Sequence, residues 1–217
     1  MAVRERTVKR LLAFLCVFCL LRTPCTYAED AVSSATLKIS GLPALEEETE
    51  SNILVLWFSP NDTIKAAAFV VADTLHADLF EIEPEIPYTE EDLNYNDSST
   101  RATVEQRDAE ARPGMKEIPE LEGYDVILLG YPIWWGQAPK ILYTLFENVD
   151  FSGKTIYPFC TSGSSSVVSS AEDLAKLTDD DVSWMEAKRL SNGSTEEDIR
   201  EWASSLDIQM ISVTENK

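Results

Sequence analysis

Ile53-Leu54-Val55-Leu56-Trp57-Phe58 is an unbroken apolar run, interrupted by Ser59-Pro60-Asn61-Asp62-Thr63 and followed by an Ala-rich apolar segment from Ile64 to Leu75. A strand that is apolar at every position is buried on both faces, which is the situation of a parallel strand covered by helices. The Ala-rich segment predicts a helix lying close on that strand. The same strand signature returns at Tyr124-Asp125-Val126-Ile127-Leu128-Leu129-Gly130-Tyr131, and again, after a turn at Gly153, from Lys154 to Cys160. Between the first two runs, Asp78-Leu79-Phe80-Glu81-Ile82 alternates as a short strand and is stopped by Pro84 and Pro87. Ala138 to Val149 predicts a helix, as does Ser170 to about Leu177. Ser183 to Leu190 predicts a fifth strand, and Ser194-Thr195-Glu196-Glu197 carries the cap residues of a last helix running toward Leu206. The polar stretch Tyr88 to Glu120 contains only one candidate element, an exposed helix around Ala102 to Ala111. Strands alternating with helices give an α/β domain with a doubly wound, five-stranded parallel sheet of order 2-1-3-4-5.

Outward from this core, the N-terminus has a different character. Arg4, Arg6, Lys9 and Arg10 precede an apolar run from Leu11 to Leu21, well short of the roughly 20 residues of a bilayer span, and Thr26-Tyr27-Ala28 places small residues where a signal peptidase cuts. The expected organisation is a signal peptide over 1–28 cleaved near Ala28, a polar linker over 29–51, one domain over 52–210 and a tail over 211–217. The mature protein is expected to be exported, whether secreted, periplasmic or held at the cell surface, with no stable transmembrane span.

The chain has 217 residues and a formal net charge of −20, and the leader removes mostly basic residues, so the remaining domain is more acidic still. Nucleic acid is an unsuitable partner for such a surface. The acidity serves solubility, or steers the protein toward a basic redox partner. Of the four cysteines, Cys16, Cys19 and Cys25 lie in the leader, which leaves Cys160 alone and excludes an internal disulfide in the mature chain. His76 is the one histidine, so a Ser-His-Asp triad or a multi-histidine metal site has no basis. Asp179-Asp180-Asp181 lacks the spacing of a calcium loop and reads as a solvated turn.

In a 2-1-3-4-5 sheet the ligand sits outside the carboxyl ends of the first and third strands, where strand order reverses. The loops placed there are Ser59 to Thr63 and Tyr131 to Ala138. The first precedes a helix, so its backbone N–H groups and the hydroxyls of Ser59 and Thr63, with Asn61 between them, suit a phosphate. The second carries Pro132, Ile133, Trp134, Trp135 and Gly136: flat apolar surface for a ring system, and a glycine that permits close backbone approach. Adjacent tryptophans point in different directions, so one is expected in the core and one beside the ligand. Thr161, Ser162 and Gly163, after the fourth strand, add hydroxyls and N–H groups at the same edge.

Tyr131-Pro132-Ile133-Trp134-Trp135-Gly136-Gln137-Ala138-Pro139 resembles the flavin-ring loop of the flavodoxin-like superfamily, in a branch of small proteins with this tryptophan pair. Phe80-Glu81-Ile82-Glu83-Pro84, Asp150-Phe151-Ser152-Gly153-Lys154-Thr155 and Pro158-Phe159-Cys160-Thr161-Ser162-Gly163-Ser164 match as well, and the resemblance covers Asn52 to about Leu206. It implies flavin mononucleotide (FMN) as cofactor, held by Ser59, Asn61, Thr63, Pro132, Ile133, Trp134, Trp135, Gly136, Thr161, Ser162 and Gly163. The phosphate loop departs from the family's Ser/Thr-x-Thr-Gly-x-Thr: aligned without a gap, Asn61, Asp62 and Ile64 replace Thr, Gly and Thr. A carboxylate at Asp62 repels a phosphate unless it turns to solvent or caps the helix.

The resulting expectation is an FMN-binding protein that carries electrons or acts as a small oxidoreductase with an unidentified redox partner and no nameable acid or base catalyst. The competing reading is a flavodoxin-fold binding module that has lost FMN through its altered phosphate loop; a third is a quinone or nitro-compound reductase. Asp30-Ala31-Val32-Ser33-Ser34-Ala35-Thr36 also resembles the sequence on which exported proteins receive covalent FMN, with Thr36 as acceptor and Ser34 in place of the glycine.

Overall fold

The computed structural model describes residues 52–60, 62–162, 167–191 and 193–208. The leader, the linker with Thr36, Asn61, Gly163 and the tail all lie outside the described residues. Among those described, no helix is long and apolar enough to cross a membrane.

The strands are β1 (Ile53–Trp57), β2 (Asp78–Glu81), β3 (Val126–Pro132), β4 (Thr155–Thr161), β5 (Ser183–Trp184) and β6 (Lys188–Leu190). The α-helices are α1 (Thr63–Leu75), α2 (Arg101–Arg107), α3 (Lys140–Asn148), α4 (Val168–Ala175) and α5 (Glu196–Ser204), with a 3-10 turn at Glu91–Leu93. All strand pairs are parallel. β1 lies between β2 and β3, with Leu56 opposite Phe80 on one side and Leu129 on the other, and the order β2-β1-β3-β4-β5 is the one expected.

The fifth position is split. Ser183 to Leu190 is not one strand: β5 pairs with the start of β4 and β6 with its end, and between them Met185 N still donates to Ile156 O at 2.9 Å. The short apolar content there explains the break, since Glu186, Lys188 and Arg189 supply no continuous face to bury.

Alternation along the strands builds two cores. Leu54, Leu56, Phe58, Ile127, Leu129, Tyr131, Ile156 and Cys160 face one side and pack with Ile141, Leu142 and Leu145 of α3 and Leu174 of α4. Ile53, Val55, Trp57, Leu128, Tyr157 and Phe159 face the other, against Ala67, Ala68, Val71 and Ala72 of α1 and Ile199 of α5. The small residues of α1 let it approach the sheet closely. His76 ends α1 in the left-handed conformation, with φ 52°, so its role is a helix C-cap. Thr195 and Asp198 open α5 with a reciprocal capping box.

The segment between β2 and β3 corrects an expectation. It folds back beside the end of β2, with Glu85 N donating to Gly114 O at 2.8 Å and Lys116 N to Glu83 O at 3.0 Å. Its helix, α2, is shorter than Ala102 to Ala111 and is not exposed: Ala102, Thr103 and Gln106 are buried. A face made of an alanine, a threonine and a glutamine shows no apolar period, yet it packs where hydrogen bonds replace hydrophobic contact.

Candidate functional site at the carboxyl edge of the sheet

Beyond the ends of β1, β3 and β4 the connecting loops enclose a cleft of about 470 Å³, within the range of sites for small molecules and cofactors. Pro60 and Thr63 line it after β1, Pro132, Ile133, Trp134 and Trp135 after β3, and Thr161 and Ser162 after β4. Seven of the residues singled out in the sequence therefore share one cavity. Ser59 stands behind it: its Oγ accepts from Ile64 N at 3.2 Å and fixes the start of α1. Gly136 serves the backbone of the ring loop.

That loop is a tight turn. Trp134 N donates to Gln137 O and Gln137 N to Trp134 O, both at 2.9 Å, around a central pair with positive φ, Trp135 at 48° and Gly136 at 82°. Two central residues of positive φ are the mark of a type I′ turn, for which Asn-Gly is the favoured pair. Glycine meets this requirement without strain, whereas a tryptophan does not, at a cost of about 1–2 kcal/mol.

The two indoles point in different directions, and both line the cleft. Trp134 is half-buried, edge-on to Phe58 at 5.7 Å and to Tyr88 at 5.3 Å. Trp135 stands perpendicular to Trp134, and is 44% exposed. Strain at an exposed aromatic bordering a cleft is the kind of local conflict that accompanies function. Trp135→Asn should accordingly leave the thermal midpoint unchanged or raise it. A clear fall on heating, followed by circular dichroism, would show instead that the indole is kept for packing.

Three supports hold the cleft and escaped the sequence reading. Gln106 Nε2 donates to Trp134 O and Ala138 O, each at 3.2 Å, and its Oε1 accepts from Lys140 N at 3.1 Å, so one buried amide spans the whole ring loop. Tyr88 lies under the Arg101 guanidinium, 4.1 Å from its ring centre, and its hydroxyl donates to Glu105, which also takes Arg101 Nε at 2.7 Å. Burial, then the Glu105 carboxylate, pushes the Tyr88 phenol well above its usual range, so it stays a donor. Arg189 of β6 donates to Ser162 O at 3.2 and 3.3 Å and fixes the loop after β4. Leu93, Tyr95 and Ala102 complete the lining. No local pattern marks any of these residues, because isolated polar or apolar side chains in a polar stretch look like ordinary surface.

Asp62 precedes α1 without capping it. Its side chain is 96% exposed and points toward Lys65, 4.0 Å away. At the end of β2, Glu81 is held above the ordinary carboxyl range by burial and then by Glu83, with Lys65 and Lys116 working against the shift. Cys160 is buried, and its thiol is pushed up to about 12 by desolvation, which makes it an inert strand residue. Among the described residues, no three His, Cys, Asp or Glu side chains are grouped to hold a metal.

A helix start with a threonine hydroxyl, two indoles and a hydroxyl-bearing loop form a donor set suited to a phosphate ester that carries a flat aromatic ring. The family profile described as Flavodoxin matches residues 52–206. A crystal structure from Bacteroides eggerthii, described provisionally as a flavoprotein, is 40% identical, covers 73% of this chain and 99% of its own, and superposes with a TM-score of 0.66. A second such structure, from Bacteroides uniformis, is 37% identical with 70% and 97% coverage and the same TM-score. A comparison with curated proteins gives no match. By sequence profile and by fold, the chain belongs to the flavodoxin family.

Proposed function

We propose that the cleft binds FMN and that the protein moves electrons through it, as a carrier or as a small oxidoreductase, outside the cytoplasm after cleavage near Ala28. The observation that carries this reading is Trp135, an exposed indole held at positive φ beside Trp134 on the rim of a 470 Å³ cleft at the switch point. Membership of the flavodoxin family supports FMN as the cofactor.

The first-turn amides of α1 other than Ile64 N, which already donates to Ser59 Oγ, and the Thr63 hydroxyl would take the phosphate, because those amides lack carbonyl partners four residues back and sit at the positive end of the helix. The orientation of Asp62 supports this reading over a module without cofactor, since its carboxylate is turned to solvent. Trp134 and Trp135 would offer the ring its flat surface, and Thr161 and Ser162 would hydrogen-bond its polar edge. Bound FMN supplies one- and two-electron transfer; the protein supplies orientation and field. The acidic surface disfavours a negative charge on the reduced ring and so lowers its potential.

FMN titration of the protein starting at Glu29 tests the reading, with flavin and tryptophan fluorescence as the signals. Saturable quenching is expected, weaker in Trp135→Ala than in the parent by roughly tenfold. No binding at high micromolar FMN would leave a flavodoxin fold without its cofactor.

A further inference from the structure

β2 is an outer strand of the sheet, with β1 as its paired neighbour on one side. Ile82 N, just past its end, donates to Trp57 O at 2.8 Å, and main-chain groups in a ladder alternate in direction from one residue to the next. Phe80 and Ile82 therefore turn their N–H and C=O groups to β1, whereas Leu79, Glu81 and Glu83 turn theirs away from the sheet.

Part of this outer side already holds a strand. The chain returning from α2 lies antiparallel against the residues after β2: Pro84 bridges Met115, Lys116 N donates to Glu83 O at 3.0 Å, and Glu85 N donates to Gly114 O at 2.8 Å. In the same register the next bonded pair would be Glu81 with Ile118. Among the described residues that pair is absent. Past Lys116 the returning chain leaves the edge, and a groove of about 220 Å³ opens, lined by Leu79, Phe80, Glu81, Glu83, Lys116 and Glu117. Leu79 and Glu81 thus direct main-chain donors and acceptors into a groove with no strand beside them.

The charge of the groove selects what can fill it. Glu81, Glu83 and Glu117 border it against Lys116 alone, and that lysine is engaged by Glu83. The Glu81 carboxylate has no ion pair or hydrogen bond among the described residues, and burial, then Glu83, hold it above the ordinary carboxyl range, with Lys65 and Lys116 opposing. Asp78 adds a carboxylate at the start of the strand, tied to Tyr124 Oη at 2.7 Å. Pairing with a second copy of β2 would set these acids beside their own equivalents, and like charges on neighbouring strands oppose pairing. A basic strand turns the same charges into an attraction.

We infer that the outer edge of β2 is a docking site for an extended, basic segment of another polypeptide, which adds to the sheet as a further strand. Leu79 and Glu81 supply the main-chain bonds. The side chains of an added strand alternate between faces: on one face they meet Glu81, which takes a lysine or arginine, and on the other they meet Phe80, which packs at the margin of the core and takes an apolar residue. The groove shares no lining residue with the cleft, so docking there does not depend on what the cleft binds.

The test is titration of the purified protein with a capped, fluorescently labelled Lys-Val-Lys-Val-Lys-Val peptide, followed by anisotropy and by the amide resonances of Leu79 and Glu81. The same peptide methylated at every main-chain nitrogen keeps the charge and loses the ladder donors. In the protein, Leu79→Pro removes an outward N–H and leaves the bonds to β1 in place, and Glu81→Gln removes the charge. Saturable binding that shifts both resonances is expected, weaker by roughly tenfold for the methylated peptide and for Leu79→Pro, the worth of one or two main-chain bonds. Glu81→Gln should weaken it by about threefold at low salt and by less at high salt. Equal binding of the two peptides overturns the strand and leaves a contact of charge alone. Resonance shifts confined to other elements overturn the site, and absence of saturable binding up to millimolar peptide overturns the proposal outright. Should Leu79→Pro lower the thermal midpoint, the methylated peptide on the parent protein decides. Concentration-dependent dimers that Leu79→Pro abolishes would assign the edge to a second copy and overturn the basic partner.

Discussion

Replacing Gln106 with Leu is expected to destabilise the protein by about 2–4 kcal/mol, because it strands two buried backbone groups at about 1–3 kcal/mol each. Trp134 O keeps its bond from Gln137 N. Ala138 O and Lys140 N lose the partner that Gln106 gave them, and Lys140 N belongs to the first turn of α3, which has no carbonyl of its own helix to reach. The side chain is of similar size, so the loss reports polar groups and not a cavity. Urea unfolding should show a lower midpoint with an unchanged slope. FMN affinity should fall as well, since the freed loop carries Trp134 and Trp135.

Gln106→Glu adds a dependence on pH. The charged form can accept from Lys140 N but meets the carbonyls of Trp134 and Ala138 with no proton to give, so burial raises its pKa in the folded state. The sign follows from that direction. A carboxyl raised on folding favours the native state below its unfolded value of about 4 and loses that support as pH rises through the folded value. Relative to the parent, this variant should be more stable in mild acid than at neutrality.

Gly130→Ala should cost about 3 kcal/mol, at the upper end of typical overpacking. A Cβ at Gly130 would lie 2.4 Å from Cζ and 2.6 Å from Cε2 of Phe159, and 3.1 Å from Cγ2 of Ile64. Neither neighbour can yield easily. Phe159 is fully buried in the middle of β4 with Trp202 tilted against it, and Ile64 is fully buried in the first turn of α1. Displacing Ile64 also disturbs its bond to Ser59 Oγ, so the variant should disturb the α1 end of the cleft along with the core. Phe159→Leu in the same chain should recover part of the loss. Additive costs in that double variant would show that the two side chains do not meet as described.

These two residues mark how far the sequence could be read. β1, β3 and β4 were plain because burial on both faces demands an apolar residue at nearly every position, and with them came the sheet order and the three loops of the switch point. Trp134, Trp135 and Thr63 then followed from position and chemistry. β5 and β6 were not separable, since two- and three-residue strands carry too little pattern to set a boundary. Gln106 and Tyr88 were hidden for a different reason: each is polar, each acts through groups about 30 residues away or on another element, and nothing local distinguishes such a side chain from a solvated one. Tyr95 stands alone in an acidic stretch and offered no period at all.

The all-parallel sheet also sets the order in which the site can be assembled. β1 meets β3 with Ile53 opposite Val126, about seventy residues further along, and no hairpin anywhere in the sheet offers a short route to its first pairing. Closing so long a loop carries an entropic penalty before any ladder bond compensates it, and chains dominated by such distant pairings fold slowly. The cleft is lined by the ends of β3 and β4 and by the loops after β1, β3 and β4, so it is complete only once those strands have found each other. The cleft is thus a late product of folding: a refolding chain should regain its sheet first and its capacity to quench flavin fluorescence afterwards.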